Sequence, residues 1–187
     1  MSRMTGERAI IDLLKLQCFK PIGGPKASAL ILGSMPGAES LRKKQYYAHS
    51  RNLFWNIMGR LLGAGPERKY EDRVLILTGR GFAVWDVLKA CERTGSLDSA
   101  IREETIEAND FVTFFEDHPR ITHVFFNGTK AQAAYKRYVI PTLGKRHRSL
   151  RYERLPSTSP AHAGMSADEK IERWKVILDP IQKSAAK

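Results

Sequence analysis

The stretch Ala29-Leu30-Ile31-Leu32-Gly33-Ser34-Met35-Pro36-Gly37 decides the fold. Four consecutive apolar residues without polar alternation fit a strand buried on both faces, as in a central parallel sheet, and the Gly and Pro behind them turn the chain into a loop. Gly permits close backbone approach there and Pro fixes the turn, so such a loop can offer amides to an anion or a base. On its own it is equally a plain turn.

Outward from this strand, the chain alternates. Pro21 to Pro25 reads as a loop, preceded by an amphipathic segment from Arg8 to Leu16. Phe54, Ile57, Met58, Leu61 and Leu62 recur at helical spacing within Asn52 to Leu62, and Gly81 to Val87 reads as a second strand or strand edge. Glu103 to Asp117 predicts a helix, Ile121 to Phe126 a strand, Gly128 to Tyr138 a helix and Leu150 to Leu155 a final strand. Ser166-Ala167-Asp168-Glu169 fits a capping box opening a helix whose Ile171, Trp174, Ile177, Leu178 and Ile181 share one face, with Pro180 expected to kink or end it. This order predicts a three-layer α/β/α sandwich with a mainly parallel central sheet, and places ligand sites in loops at the strands' carboxyl ends. The loops beginning at Gly33, Asn127 and Leu155 are the candidates. With no internal repeat, low-complexity tract or linker, residues 1–187 read as a single domain.

Charge narrows the partner. A formal net charge of +11 attracts a polyanion, which gains affinity by releasing counterions from phosphates, although a merely solvated basic surface has the same composition. The excess gathers in Arg42-Lys43-Lys44, in Arg51, and from Lys145-Arg146-His147-Arg148 through Arg151 and Arg154, beside the candidate loops. No apolar run reaches the roughly 18 residues of a membrane span, so no membrane partner is expected. No secretory signal pattern precedes the domain, and Cys18 and Cys91 are too few for a disulfide scaffold or a four-cysteine iron–sulfur cluster. A cytoplasmic monomer without metal or cofactor is the expectation.

Further side chains bear on chemistry. Tyr46-Tyr47-Ala48-His49-Ser50-Arg51-Asn52 mixes aromatic, basic and amide groups, and base–aromatic stacking worth about 1–3 kcal/mol lets Tyr47 hold a base by its face. Phe54 and Trp55 read as core. Asn127, between Phe126 and Gly128, offers a donor and an acceptor in fixed geometry, either to a base edge or water, or as a cap for the next helix. Pro156-Ser157-Thr158-Ser159-Pro160-Ala161-His162 is dense in hydroxyls and prolines, as a phosphate-gripping loop requires and as an ordinary surface turn also can be. His49 and His162 are open between acid–base, phosphate-binding and structural roles.

Together, Leu32-Gly-Ser-Met-Pro-Gly37 with Ser40-Leu41, Tyr46-Tyr-Ala-His49 with Asn52 and Phe54-Trp55, Phe126-Asn127-Gly128, and Leu155-Pro-Ser-Thr-Ser-Pro-Ala161 resemble the uracil-DNA glycosylase superfamily, especially its hypoxanthine-DNA glycosylase (DNA-deoxyinosine glycosylase) branch. The resemblance implies base-excision repair of DNA containing deaminated bases by monofunctional hydrolysis of the N-glycosidic bond. It implies Asn127 and Asn52 as catalytic groups and Gly33, Ser34, Met35, Pro36, Gly37 and Tyr47 around the base. Lys43, Lys44, Arg51, Lys130, Ser157, Thr158, Ser159, Pro160 and His162 would then contact DNA. Lys43, Lys44 and Lys130 read as phosphate contacts rather than as the desolvated amine of a Schiff-base lyase. Met35 stands where the mismatch-specific uracil branch carries a water-positioning Asn, and a thioether cannot take that role. The competing readings are a mismatch-specific uracil enzyme and a non-catalytic nucleic-acid-binding domain.

Overall fold

The computed structural model describes residues 15–181, apart from the side chains of Arg146 and His147. The Arg8 to Leu16 segment falls mostly outside these residues, and so do the side chains at the centre of the 145–148 basic run. In chain order the elements are strand β1 (Lys15–Gln17), β2 (Ala29–Gly33), helices α1 (Ala38–Lys43), α2 (Phe54–Leu62) and α3 (Tyr70–Gly79), and strands β3 (Phe82–Asp86), β4 (Leu88–Glu92) and β5 (Glu107–Ala108). They continue with α4 (Phe111–Asp117), β6 (His123–Asn127), α5 (Thr129–Ala134), β7 (Arg151–Leu155) and α6 (Ala167–Trp174).

The expected central sheet is present: four parallel strands in the order β3-β2-β6-β7. All residues of β2 are buried, as its unbroken apolar run requires. Leu32 is in register with Trp85 and Phe126, so these three face the same side, where Trp85 packs on Phe111 of α4 at 5.0 Å and Phe126 on Tyr135 at 5.1 Å. On the other side α2 meets α6 through Phe54 and Trp174, edge to face at 6.0 Å, and α3 through Trp55 and Tyr70 at 5.8 Å. Burying each such ring contributes about 1.5–3 kcal/mol, which is what holds helices to both faces. Strand β7 closes one edge with exposed Arg151, Glu153 and Arg154, charges that discourage a further strand from pairing there.

The capping box forms as read: Glu169 N donates to Ser166 Oγ and Ser166 N to Glu169 Oε2 at 2.8 Å. Regular helix nevertheless gives way to a 3₁₀ turn at Lys175–Leu178, ahead of Pro180, because the proline ring crowds the carbonyl four residues upstream. The continuous helix expected over Glu103 to Asp117 is not formed. Glu107 and Ala108 pair with β4, and Asn109 is tied to Asp86 and Val87, its Nδ2 donating to the Asp86 carbonyl at 2.8 Å. Only then does Asp110, accepting from Thr113 N at 3.1 Å, start α4. The small antiparallel sheet β1-β4-β5 and helix α3 are additions, the latter hidden because Val74, Leu75, Ile76 and Leu77 are consecutive rather than periodic.

Candidate active site

The carboxyl ends of β2, β3 and β6 and the chain leaving β7 open on one cleft of about 430 Å³. It is lined by the Gly33–Gly37 loop, Tyr47, His49, Asn52, Asp86, Asn127, Lys130 and residues 157–162, among others. Every base-binding residue named from the sequence lies here, with both Asn candidates, Lys130 and the whole Ser157–His162 run. Lys43, Lys44 and Arg51 lie outside the lining. Lys43 approaches Glu39 at 3.1 Å, Lys44 adopts a left-handed conformation ending α1, and Arg51 is exposed beside Asn52. Lys130 comes within 3.8 Å of Glu103.

Asn127 does not cap the helix that follows; Gly128 stands at that position, and the side chain points elsewhere. Its Oδ1 accepts from Thr158 N at 2.9 Å and its Nδ2 donates to Thr158 Oγ1 at 2.8 Å. This double clasp orients the amide across the sheet while leaving one N–H and one acceptor lone pair for another partner. Gly128 makes the approach possible: its φ of +97° suits glycine, and a Cβ there would press on Ser157 at 3.0 Å. Asn52 stands one residue before Leu53, the N-cap of α2, and its Oδ1 accepts from Phe54 N at 3.0 Å at the helix's first residue. Leu53 N donates to Thr158 O at 3.0 Å and ties that start to the same clasp.

Tyr47 also sits at positive φ, +55°, and its ring stacks on Phe54 at 3.9 Å. The stack fixes the ring plane in the cleft wall. Its hydroxyl is buried beside the Asn127 side chain without a well-formed hydrogen bond, and burial, then the neighbouring Asp86 carboxyl, pushes its pKa up against the opposing pull of Asn127.

Two braces hold the loops, and both escaped the sequence reading. The first loop is gripped from residues 93–98: Ser34 Oγ donates to Asp98 Oδ2 at 2.6 Å, Ala38 N to Ser96 Oγ at 3.1 Å, and Arg93 Nη2 to the Pro36 carbonyl at 2.6 Å. Arg93 is fully buried and faces Asp98 at 3.8 Å. The Pro156–His162 segment is gripped from α6, where Trp174 Nε1 donates to Pro156 O at 3.0 Å and Lys170 Nζ to His162 O at 2.7 Å. Lys170 is only 2% exposed, and burial lowers its pKa. Asp86, in register with Gly33, completes the floor: it is 3% exposed, and a Cβ on Gly33 would overlap its Oδ1. A lone carboxylate at the carboxyl end of the apolar run Phe82-Ala83-Val84-Trp85 was the available sequence signal for it. The buried arginine and lysine had none, since each acts on a backbone carbonyl of another segment, 57 residues away for Arg93 and 8 for Lys170. Among the described residues no cluster of three or more His, Cys, Asp or Glu side chains could hold a metal, and no helix is long and apolar enough to cross a membrane.

A four-stranded parallel sheet whose carboxyl ends carry a glycine-rich loop, an oriented amide and a serine–proline loop defines an α/β protein built to receive a ligand in that cleft. The family model described as the uracil DNA glycosylase superfamily matches residues 21–178, and the chain belongs to that superfamily. A curated hypoxanthine DNA glycosylase of Methanosarcina acetivorans is 38% identical over 163 residues, covering 86% of this chain and 96% of that protein. Another, of Methanosarcina barkeri, is 38% identical over 119 residues, 63% of this chain and 74% of that one. In structure, the chain is similar to a Methanosarcina acetivorans protein solved by NMR and provisionally described as a uracil DNA glycosylase. The TM-score is 0.73 and the identity 32%, over 90% of this chain and 99% of that one.

Proposed function

We propose that this protein is a monofunctional DNA glycosylase of base-excision repair that hydrolyses the N-glycosidic bond of a deaminated base, hypoxanthine in preference to uracil. The observation that carries this reading is the meeting, in one cleft, of the Gly33–Gly37 loop, Tyr47, Asn52 and the Asn127–Thr158 clasp. The names of the two curated relatives support hypoxanthine, and Met35 in the cleft wall, without a group to orient water, argues against the mismatch-specific uracil mechanism.

In this mechanism the Ser157–His162 loop and Lys130 take DNA phosphates while the flanking bases of Lys43, Lys44 and Arg51 contribute longer-range attraction. The damaged nucleotide turns out of the stack and its base lies on the Tyr47 face opposite Phe54. Breaking the bond leaves positive charge on the sugar and negative charge on the departing base. Asn127, already oriented by Thr158, contributes its remaining N–H or lone pair to the base or the attacking water, and Asn52 supports it from the start of α2. No lyase step is needed. The buried amine of Lys170 is held by the His162 carbonyl rather than presented to the cleft.

Duplexes carrying a single deoxyinosine, deoxyuridine or deoxyxanthosine, incubated with the protein and then treated with alkali, test the proposal. Breaks at deoxyinosine support it; breaks at deoxyuridine alone assign the uracil reading. Tight binding without breaks in any duplex would leave a binding module.

A further inference from the structure

Among the described residues the exposed large hydrophobic side chains are Leu75, Leu97 and Val112. Leu75 lies on α3 and Val112 on α4, and neither lines the cleft, whereas Leu97 lines it while remaining 56% exposed. A lone exposed leucine is ordinary, but this one is held out by its neighbours. Ser96 Oγ accepts from Ala38 N and Asp98 Oδ2 from Ser34 Oγ, so the residues on both sides of Leu97 are pinned to the first loop and the start of α1. Arg93 Nε donates to Gly95 O at 3.1 Å, and Ala100 N to Leu97 O at 3.0 Å, which fixes the turn before Leu97 and the backbone at it. Across the cleft the Ser157–His162 run carries hydroxyls, a proline, an alanine and a histidine, but no long apolar side chain. The other long apolar side chains of the lining are withdrawn: Met35 and Tyr46 are buried, and Tyr47 stacks on Phe54.

We propose that Leu97 is a wedge that enters the base stack beside the extruded nucleotide and occupies the gap it leaves. The inference rests on the reading of the cleft as the pocket for an extruded base. A nucleotide turned into the cleft leaves its former neighbours at the rim, each unstacked on one face, and closure of that gap competes with extrusion. An apolar side chain inserted at such a step covers those faces and offsets part of the unstacking cost. Leucine suits this and little else at a DNA surface, since it has no donor or acceptor with which to hold a phosphate or read a base edge. Its pinned backbone also matters: the loop is ordered before DNA arrives, so insertion costs little further ordering. The partner is double-stranded DNA distorted at a single nucleotide, and the contact tolerates any flanking sequence, because every base presents an apolar face.

The test compares wild type with Leu97→Ala and Leu97→Met on duplexes in which 2-aminopurine, whose fluorescence rises on unstacking, flanks a deoxyinosine on one side or the other. Single-turnover excision is followed on the paired duplex and on one with the deoxyinosine in an unpaired bubble, alongside binding over a range of salt and the melting temperature. Wild type is expected to raise the fluorescence of at least one neighbour about twofold or more on binding, and Leu97→Ala to lose most of that rise. Leu97→Ala slows excision from the paired duplex about tenfold or more but from the bubble by less than about threefold, where no stack has to be opened. Leu97→Met, with a long apolar side chain restored, stays within about threefold of wild type on both. The salt dependence of binding keeps its slope, because no phosphate contact is lost, and the melting temperature of Leu97→Ala stays within about two degrees of wild type. Wild-type binding that leaves both neighbours stacked overturns the proposal, as do a Leu97→Ala protein with the full fluorescence rise, with wild-type excision of the paired duplex, or with equal losses on duplex and bubble. Excision of deoxyuridine alone would change the substrate of the Proposed function, and the same variants would judge Leu97 on that duplex. If wild type excises from neither duplex, the excision reading fails, and the fluorescence rise and its loss in Leu97→Ala decide the wedge by themselves.

Discussion

The two loops that face each other across the cleft are held by different physics. The Gly33–Gly37 loop is braced by groups that carry or could carry charge: the buried Arg93 guanidinium on Pro36 O, the Asp98 carboxylate on Ser34 Oγ, and Asp86 beneath Gly33. The Pro156–His162 segment is braced mainly by neutral hydrogen bonds: Trp174 on Pro156 O, the Asn127–Thr158 clasp, and Leu53 N on Thr158 O, with the Lys170 ammonium as the one cation. Charged braces are strong and respond to ionisation; neutral ones are weaker singly but indifferent to pH across the ordinary range. One wall of the cleft is therefore open to tuning by pH, and the other is set by secondary structure.

The comparison breaks most severely at Arg93. Arg93→Ala leaves the Pro36 carbonyl unpartnered and an uncompensated acidic neighbourhood, and should cost about 3–5 kcal/mol of stability by urea unfolding. On the neutral side, Asn127→Ala is expected to slow base excision by about a hundredfold, equivalent to about 2.7 kcal/mol, with little change in duplex binding. Equal excision by that variant removes Asn127 from the mechanism. Trp174→Phe keeps most of the packing against Phe54 but loses the bond to Pro156 O, a loss of about 1 kcal/mol in denaturant titration. The last effect sharpens the contrast by sign. A carboxyl pKa raised by burial means that Asp86's contribution to stability is fully present below its unfolded pKa of about 4 and is lost as pH rises through about 8. Asp86→Asn should therefore gain on the order of ten degrees in melting temperature over wild type at pH 9 relative to the same comparison at pH 4, whereas Trp174→Phe shows no such pH dependence.

The sheet was legible because its signal is local. Ala29 to Leu32 and Val124 to Phe126 are short apolar runs closed by Gly33 and by Asn127-Gly128, and Ser166 and Glu169 form their capping box within a single turn. The cleft-lining loops were legible for the same reason, since parallel strands bring their carboxyl ends together whatever follows them. What holds those loops was not legible. Ser34 meets Asp98 across 64 residues of sequence and Arg93 meets Pro36 across 57, so neither partner leaves a mark near the other. The helix expected from Glu103 failed for a related reason: pairing of Glu107 and Ala108 with β4 overrode a local pattern that suited a helix. Asn127 shows the intermediate case, a residue correctly placed in the cleft whose partner, Thr158, lay in another candidate loop.

The grip of α6 separates possessing a site from presenting it. Lys170 and Trp174 stand one helical turn apart and hold the two ends of the Pro156–His162 segment. Yet the lining of the cleft ends at His162. A chain severed at Gly164 would carry every cleft-lining side chain and lack the clamp that holds the segment at both ends. During synthesis, the cleft's inventory is complete on the ribosome before its shape is, and the amphipathic turn that follows acts as the fastening that turns a set of residues into a working surface.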